Sequence, residues 1–187
     1  MIQYQSKNGK WSFYGGGNAI NNAEFGFNNI QQYVGTFTYK FSDWCWTSHE
    51  TWYMYQLHAS TVPTASVPYQ NGSFPVHPGY APEWATLNYT MFRTGPGTFL
   101  TVRNEIFDDC VGNRTGIGTA YDEHSIGITW WPDKLITIRP EARWDHSIQK
   151  AAFDNPAAIQ DAQGNTVAWS GGRHNQFTLQ ADVVFHF

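Results

Sequence analysis

The chain predicts an all-β fold, a transmembrane antiparallel up-and-down β-barrel, on three observations. The last eleven residues alternate. Phe177, Leu179, Ala181, Val183, Phe185 and Phe187 fall on one side of an extended strand, Thr178, Gln180, Asp182 and His186 on the other, and only Val184 breaks the pattern. Extended segments are joined in turn by a very short connection and a long polar one, which a soluble meander has no reason to keep up so strictly. Finally, aromatic residues make up 17% of the chain, with nine Trp, ten Tyr and thirteen Phe. The mean hydropathy is nonetheless −0.47, as expected when apolar residues occupy every second position.

At 187 residues the chain is one domain or part of one. Nowhere does it approach the ~18 consecutive apolar residues of a membrane helix. Its net charge of −4 leaves no basic footprint, which argues against nucleic acid as a partner. Ile2-Gln3-Tyr4-Gln5 follows Met1 where a secretory leader would carry a basic and then an apolar region. The expectation is that an export segment has been removed or that this is the tail of a longer sequence. Cys45 and Cys110 are read as falling in different strands near opposite ends and are expected to be unbridged.

In chain order, strands are expected over residues 2–5, 11–14, 29–41, 44–58, 83–93, 98–108, 119–131, 134–146 and 175–187. Lys7-Asn8-Gly9-Lys10, Ser42-Asp43, Thr94-Gly95-Pro96-Gly97 and Pro132-Asp133 supply the tight turns. Residues 15–28, 59–82, 109–118 and 147–174 form the long loops. Counted back from a periplasmic carboxy terminus, every short turn falls on the periplasmic side.

Free energy assigns the faces. In residues 134–146, Ile136, Ile138, Ala142 and Trp144 share one side, and Thr137, Arg139, Glu141, Arg143 and Asp145 the other. Turning an arginine to lipid near the midplane costs about 2–4 kcal/mol, so Arg139 and Arg143 are assigned to the interior. The same rule points Thr101, Arg103 and Glu105 inward and Leu100, Val102 and Ile106 outward. Glu123, Ser125 and Thr129 point in, with Ile126, Ile128 and Trp130 out. Ala85, Leu87, Tyr89 and Met91 are expected outward, with Thr86, Asn88 and Thr90 inward. Tyr33, Phe37, Tyr39 and Phe41 read as outward and Gln32, Thr36, Thr38 and Lys40 as inward. Glu50 and Gln56 are assigned inward, with Tyr53, Tyr55 and Leu57 outward. The charged pore-lining set is then Lys40, Glu50, Arg103, Glu105, Glu123, Arg139, Glu141, Arg143, Asp145 and Asp182.

Aromatic residues gather near the turns, where amphipathic rings suit headgroup depth. Tyr39, Phe41, Trp44, Trp46, Phe92, Phe99, Trp130, Trp131 and Phe187 are expected at the periplasmic rim. Tyr33, Trp84, Phe107, Tyr121, Trp144 and Phe177 are expected toward the outer rim. Within these belts, Tyr39, Phe41, Trp44, Trp130, Trp131, Trp144 and Phe187 are the membrane-interface candidates.

No catalytic constellation emerges. Asp122, Glu123 and His124, with Asp108 and Asp109, read as a solvated rim cluster rather than a metal or acid–base site. His49, His58, His124, His146, His174 and His186 are scattered without zinc-ligand spacing. Asn71, Asn88 and Asn113 match glycosylation sequons by chance, and Gly15-Gly16-Gly17 reads as loop. Neither a cofactor nor a metal is expected.

The Phe185-x-Phe187 ending resembles the terminal strand of Gram-negative outer-membrane barrels, whose last aromatic belongs to the signal read by the barrel-assembly machinery. Three segments carry a wider likeness: Gln32-Tyr33 leading into Tyr39-Lys40-Phe41-Ser42-Asp43, residues 135–145 with Arg-Pro-Glu-x-Arg-x-Asp, and Asn175-Gln176-Phe177 onward. In these the chain resembles the carboxy-terminal part of the OmpL-like β-barrel porin family. Members are typically about twice this length, so the resemblance implies missing amino-terminal strands. It further implies an outer-membrane porin, passing small polar or ionic solutes passively through a charged, water-filled lumen, with bilayer lipid and the assembly machinery as partners and self-association allowed. One competing reading is a closed small barrel of about eight strands, filled by Trp46, Trp52 and Met54 and acting as an anchor or adhesin. The other is a soluble carbohydrate-binding β-domain with Trp84, Trp144 and Trp169 as stacking platforms. A barrel hydrolase is disfavoured because no catalytic set is visible.

Overall fold

A computed structural model describes residues 1–18, 30–57, 80–154, 157–170 and 172–186. Every strand of its main sheet pairs antiparallel with its neighbour. The strands are β1 (Ile2–Gln5), β2 (Trp11–Asn18), β3 (Ile30–Lys40), β4 (Cys45–Leu57), β5 (Tyr80–Gly95), β6 (Thr98–Asp109), β7 (Thr119–Asp133), β8 (Ile136–Ser147) and, after an excursion, β11 (Asn175–Phe185). Their spatial order is β1-β2-β3-β4-β5-β6-β7-β8-β11, an uninterrupted up-and-down meander. The sheet is not closed, since β1 and β11 are its two free edges. Among the described residues no helix is long and apolar enough to cross a membrane. Strands β3 to β8 and β11 have at least 11 residues each, which suffices for a tilted strand to cross a bilayer.

The short connections fold as turn chemistry dictates. Gly9 and Gly97 adopt φ of 66°, which an L side chain resists, and a Cβ on Gly97 would stand 3.0 Å from the Trp131 carbonyl. In the β3–β4 turn the Ser42 hydroxyl accepts hydrogen bonds from the Trp44 and Cys45 N–H groups. Lys40 lies 2.6 Å from Asp43 and, by that hydrogen bond and its charge, holds the Asp43 carboxyl below the usual carboxylate range.

Three elements depart from expectation: β2, the 147–174 loop and β5. β2 runs on through Gly15, Gly16 and Gly17 to Asn18 instead of ending at Tyr14, because Gly15 and Gly35 lie opposite each other and the Phe13 ring lies along them. A Cβ on Gly15 would sit 3.2 Å from that ring, so the glycines make room for it. The 147–174 loop carries a hairpin of β9 (Ala157–Gln160) and β10 (Thr166–Ser170). Its turn is closed by the Asp161 carboxylate, which accepts from the Gln163 and Asn165 N–H groups. The long loops at 19–29 and 58–79 lie outside the described residues.

The paired register assigns each face. On β8, Ile136, Ile138, Ala142 and Trp144 share a side with Phe185, Val183, Leu179 and Phe177 of β11. This apolar face is exposed: Leu179 is 72% accessible, Phe177 65% and Phe185 63%. On the opposite face Glu83, Asp109, Glu123, Ser125, Thr137, Asp145 and Ser147 are buried although polar. A soluble sheet inverts that distribution, covering its oily side and wetting the other.

β5 is turned over relative to the sequence expectation. Tyr89 pairs with Arg103, Leu87 with Glu105 and Met91 with Thr101, so Ala85, Leu87, Tyr89 and Met91 lie on the charged face. Thr86, Asn88 and Thr90 lie on the other, opposite Ile106, Asn104 and Val102. Ladder pairing with two neighbours fixes a strand's face, and it overrides the strand's own alternation.

Candidate functional site: a charged inner wall

The ten charged residues expected to point inward share one face of the sheet, as the register of β3, β4, β6, β7, β8 and β11 requires. Arg103 of β6 reaches both Glu105 and Glu123. Arg143 of β8 lies 2.7 Å from Glu123 and 2.8 Å from Asp145. Glu105, Arg103, Glu123, Arg143 and Asp145 thus form one alternating ion network across three strands. Side-chain exposure is only 8% for Glu123 and Asp145, against 36% for Arg143. Acidic groups sit at the floor, then, and guanidinium groups stand above them.

A second pair lies on the β8–β11 margin. Arg139 donates to Asp182 from Nε at 2.8 Å and from Nη2 at 2.5 Å, and half of each side chain remains exposed. Beside it Gln180 donates to Glu141 at 3.0 Å. A depression of about 360 Å³, lined by Thr101, Thr129, Arg139, Glu141, Gln180 and Asp182, opens between these groups. Gly127 and Pro140 form part of its floor. Elsewhere on this face Glu50 accepts from Thr36 at 3.1 Å, and Lys40 lies at the turn end with Asp43.

Composition and spacing gave no warning of the loop that joins this wall. Asp109 is fully buried, not part of a solvated rim, and its carboxylate accepts from the N–H groups of Asn113, Arg114 and Thr115 at 2.8, 3.0 and 2.7 Å. Gly112 makes the bend at φ 76°, where a Cβ would meet the Gly118 nitrogen at 2.7 Å. Held this way, the loop projects back over β5 and β4. Arg114 donates to Glu83 at 2.8 Å, its guanidinium lies 6.0 Å from the Trp52 ring centre, and Asn113 donates to Gln56 at 2.8 Å. The signal was local: an aspartate at a strand end, followed by Gly and then Asn-Arg-Thr, is a capped-turn pattern.

The aromatic belts divide between the faces. Tyr33, Tyr39, Trp84, Phe92, Trp130, Trp144 and Phe177 stand on the apolar face. Phe41 and Trp44 flank a turn and are exposed. Trp46, Phe99, Phe107 and Tyr121 stand on the charged face instead. Trp131 goes with them, sharing the parity of Thr129, and its ring meets Phe99 edge-on at 5.2 Å. Trp52 and Met54 also lie on the charged face. Two aromatic groups therefore bracket the ion network: Trp46, Phe99 and Trp131 at the turn end, and Trp52, Phe107 and Tyr121 at the loop end. Trp84 and Trp144 stand on the apolar face of strands separated by two others in the sheet and make no shared platform; the side chain of Trp169 is outside the described residues, as is Phe187. Asp122 and His124 are parted from Glu123 and face the apolar side, where His124 bonds Asn104 at 2.7 Å. Both cysteines are free, Cys45 buried and Cys110 exposed.

No curated protein matches the chain. One family model does, over residues 1–187, and its description, Putative beta-barrel porin-2, OmpL-like, agrees with an all-antiparallel meander that is oily on one face and charged on the other. The chain belongs to this OmpL-like β-barrel porin family.

Proposed function

We propose that this sheet is wall of an outer-membrane porin, through which small polar or ionic solutes diffuse passively along the charged face. The observation that carries this reading is the inverted distribution of burial: exposed Phe, Leu and Val on one face, recessed carboxylates and arginines on the other. Bilayer lipid supplies the missing apolar cover, and water in a lumen supplies the charged face with solvent. Opposed charges set up a transverse field that orders water and favours polar solutes over apolar ones. A solvated charge pair contributes only about 1 kcal/mol, enough to bias flux without trapping the solute. No bond is made or broken in such a passage, so the wall requires position and not reactivity.

The carboxylates Glu50, Glu83, Glu105, Asp109, Glu123, Glu141, Asp145 and Asp182 outnumber Lys40, Arg93, Arg103, Arg114, Arg139 and Arg143 on this face. The expected preference is for cations. Planar-bilayer recording on the purified protein tests both points: discrete openings with a reversal potential displaced toward potassium are expected in a potassium chloride gradient. Absence of openings would instead favour the closed barrel, a reading supported by Trp46, Trp52 and Met54 sharing the charged face.

A further inference from the structure

Rows of side chains cross the charged face between β6 and β11, and one row has a gap. Ladder pairing lines up Thr101, Gly127, Glu141 and Gln180 on β6, β7, β8 and β11. Toward the long loops the next row holds Arg103, Ser125, Arg143 and Thr178. Toward the turns stand Phe99 with Thr129, and Arg139 with Asp182. Gly127 brings no side chain to its row, and the depression of about 360 Å³ opens around it. A Cβ there would stand 3.3 Å from the Pro140 carbonyl oxygen and 3.7 Å from the Glu141 side chain. The glycine therefore leaves room that any other residue would take up.

The groups around the gap come as neighbouring donors and acceptors. Arg139 gives two N–H groups to Asp182, at 2.8 and 2.5 Å, and its guanidinium carries further donors in the same plane. Asp182 keeps lone pairs beside them. Gln180 donates to Glu141 at 3.0 Å, which sets an amide next to a carboxylate in the same way. Thr101 and Thr129 add hydroxyls, and each hydroxyl both donates and accepts. On the turn side the hollow meets aromatic rings. Phe99 pairs with Thr129, and its ring packs edge-on against Trp46 at 5.4 Å and Trp131 at 5.2 Å. Trp131 is 42% exposed, so part of its indole is open to a solute.

This arrangement discriminates between solute classes. An anion meets Arg139 already opposed by a carboxylate, with Glu141 beside it. A cation meets Asp182 already answered by Arg139. A donor atom beside an acceptor atom suits instead a group that gives and takes hydrogen bonds at once, which is a hydroxyl, and best of all two hydroxyls on adjacent carbons. Exposed aromatic rings suit a solute that also has an apolar C–H face. We infer that this hollow binds the ring of a neutral saccharide, its hydroxyls on the Arg139–Asp182 and Glu141–Gln180 pairs and its C–H face toward Trp131 and Phe99. The inference deepens the porin reading, on which it rests for the solute's access to the inner wall. At about 360 Å³ the hollow is near the lower end of small-molecule sites, a size that fits a short saccharide.

The test uses the full chain purified from the membrane, with maltose as the probe. In planar bilayers maltose is expected to lower the ion current saturably, beyond the viscosity effect of sorbitol, which has the hydroxyls but no ring. Gln180→Leu and Trp131→Ala should each raise the half-blocking maltose concentration about fivefold, as loss of one hydrogen bond or one stacking contact requires. Gln176→Leu, inward on β11 but outside the hollow, should leave it unchanged. Gly127→Leu fills the gap and should abolish the block; should that variant fail to fold, the exposed positions 180 and 131 still read the site. Saturation-transfer NMR on the protein in detergent reports contact directly, and transfer is expected to be strongest to the C–H protons of one ring face. An equal response to maltose and sorbitol overturns the inference. Stronger block by choline or by gluconate overturns it too, giving the hollow to an organic cation or an anion. Openings that maltose leaves unchanged, without saturation transfer, remove this inference alone and leave the porin reading. Absence of openings removes the porin reading, and saturation transfer then decides the hollow by itself: transfer lost in Gln180→Leu supports saccharide binding, and no transfer to the parent overturns it.

Discussion

At the scale of single residues, Glu123 carries more than its neighbours. Among the described residues it is the only acid shared by two arginines, and it is nearly enclosed. Glu123→Gln keeps its volume and removes its charge, leaving Arg103 with Glu105 alone and Arg143 with Asp145 alone. Breaking one member of an enclosed ion network is worth about 3 kcal/mol, reduced here because Arg143 is partly solvated. The midpoint of urea unfolding in detergent should therefore fall clearly for Glu123→Gln. For Asp182→Asn, whose partner Arg139 is half exposed, it should scarcely move. Equal sensitivity at both positions would contradict the contrast in burial. Alternation together with the cost of an arginine in lipid made Arg139 and Arg143 legible. What it could not show is which carboxylate each arginine takes, because that choice depends on register between strands far apart in the chain.

At the scale of elements, the turns and β11 were readable because their signals are local: a Gly with positive φ, a capping Ser, an unbroken period of two. β5 was not. Its sequence alternates Ala-Leu-Tyr-Met against Thr-Asn-Thr, and taken alone it places the apolar set toward lipid. The ladder with β6 places Tyr89 beside Arg103, 5.6 Å from guanidinium carbon to ring centre, and so turns the threonines outward. Similarly, Phe107 and Tyr121 looked like belt residues, yet each shares the parity of inward acids on its own strand. Strand parity, not aromatic identity, decides where these rings stand. The Asp109 loop gives this scale its prediction. Asp109→Ala removes the acceptor of three backbone N–H groups. Freed from that cap, Arg114 should leave Glu83, and channel recordings should show larger and noisier openings than the parent. Unchanged conductance with an unchanged loop would mean that the Gly112 bend alone holds the segment.

At the scale of the whole molecule, the meander, its segregated short turns and its two-sided wall answer to one constraint. Every backbone polar group in a bilayer needs a partner, and antiparallel strands provide it edge to edge while alternation separates oil from water. The family match over 1–187 and the register agree on this architecture. The proposed preference for cations rests on the recessed carboxylates of the charged face. The most direct test of the central claim sets neighbours on β11 against each other. Spin labels are attached one at a time at Leu179→Cys and Gln180→Cys, in a background without Cys45 and Cys110, in the protein reconstituted into lipid. The label at 179 should collide with dissolved oxygen and be shielded from a water-soluble nickel chelate, and the label at 180 should show the reverse. Equal exposure of both labels to the chelate would contradict a wall that turns its oily face to the bilayer.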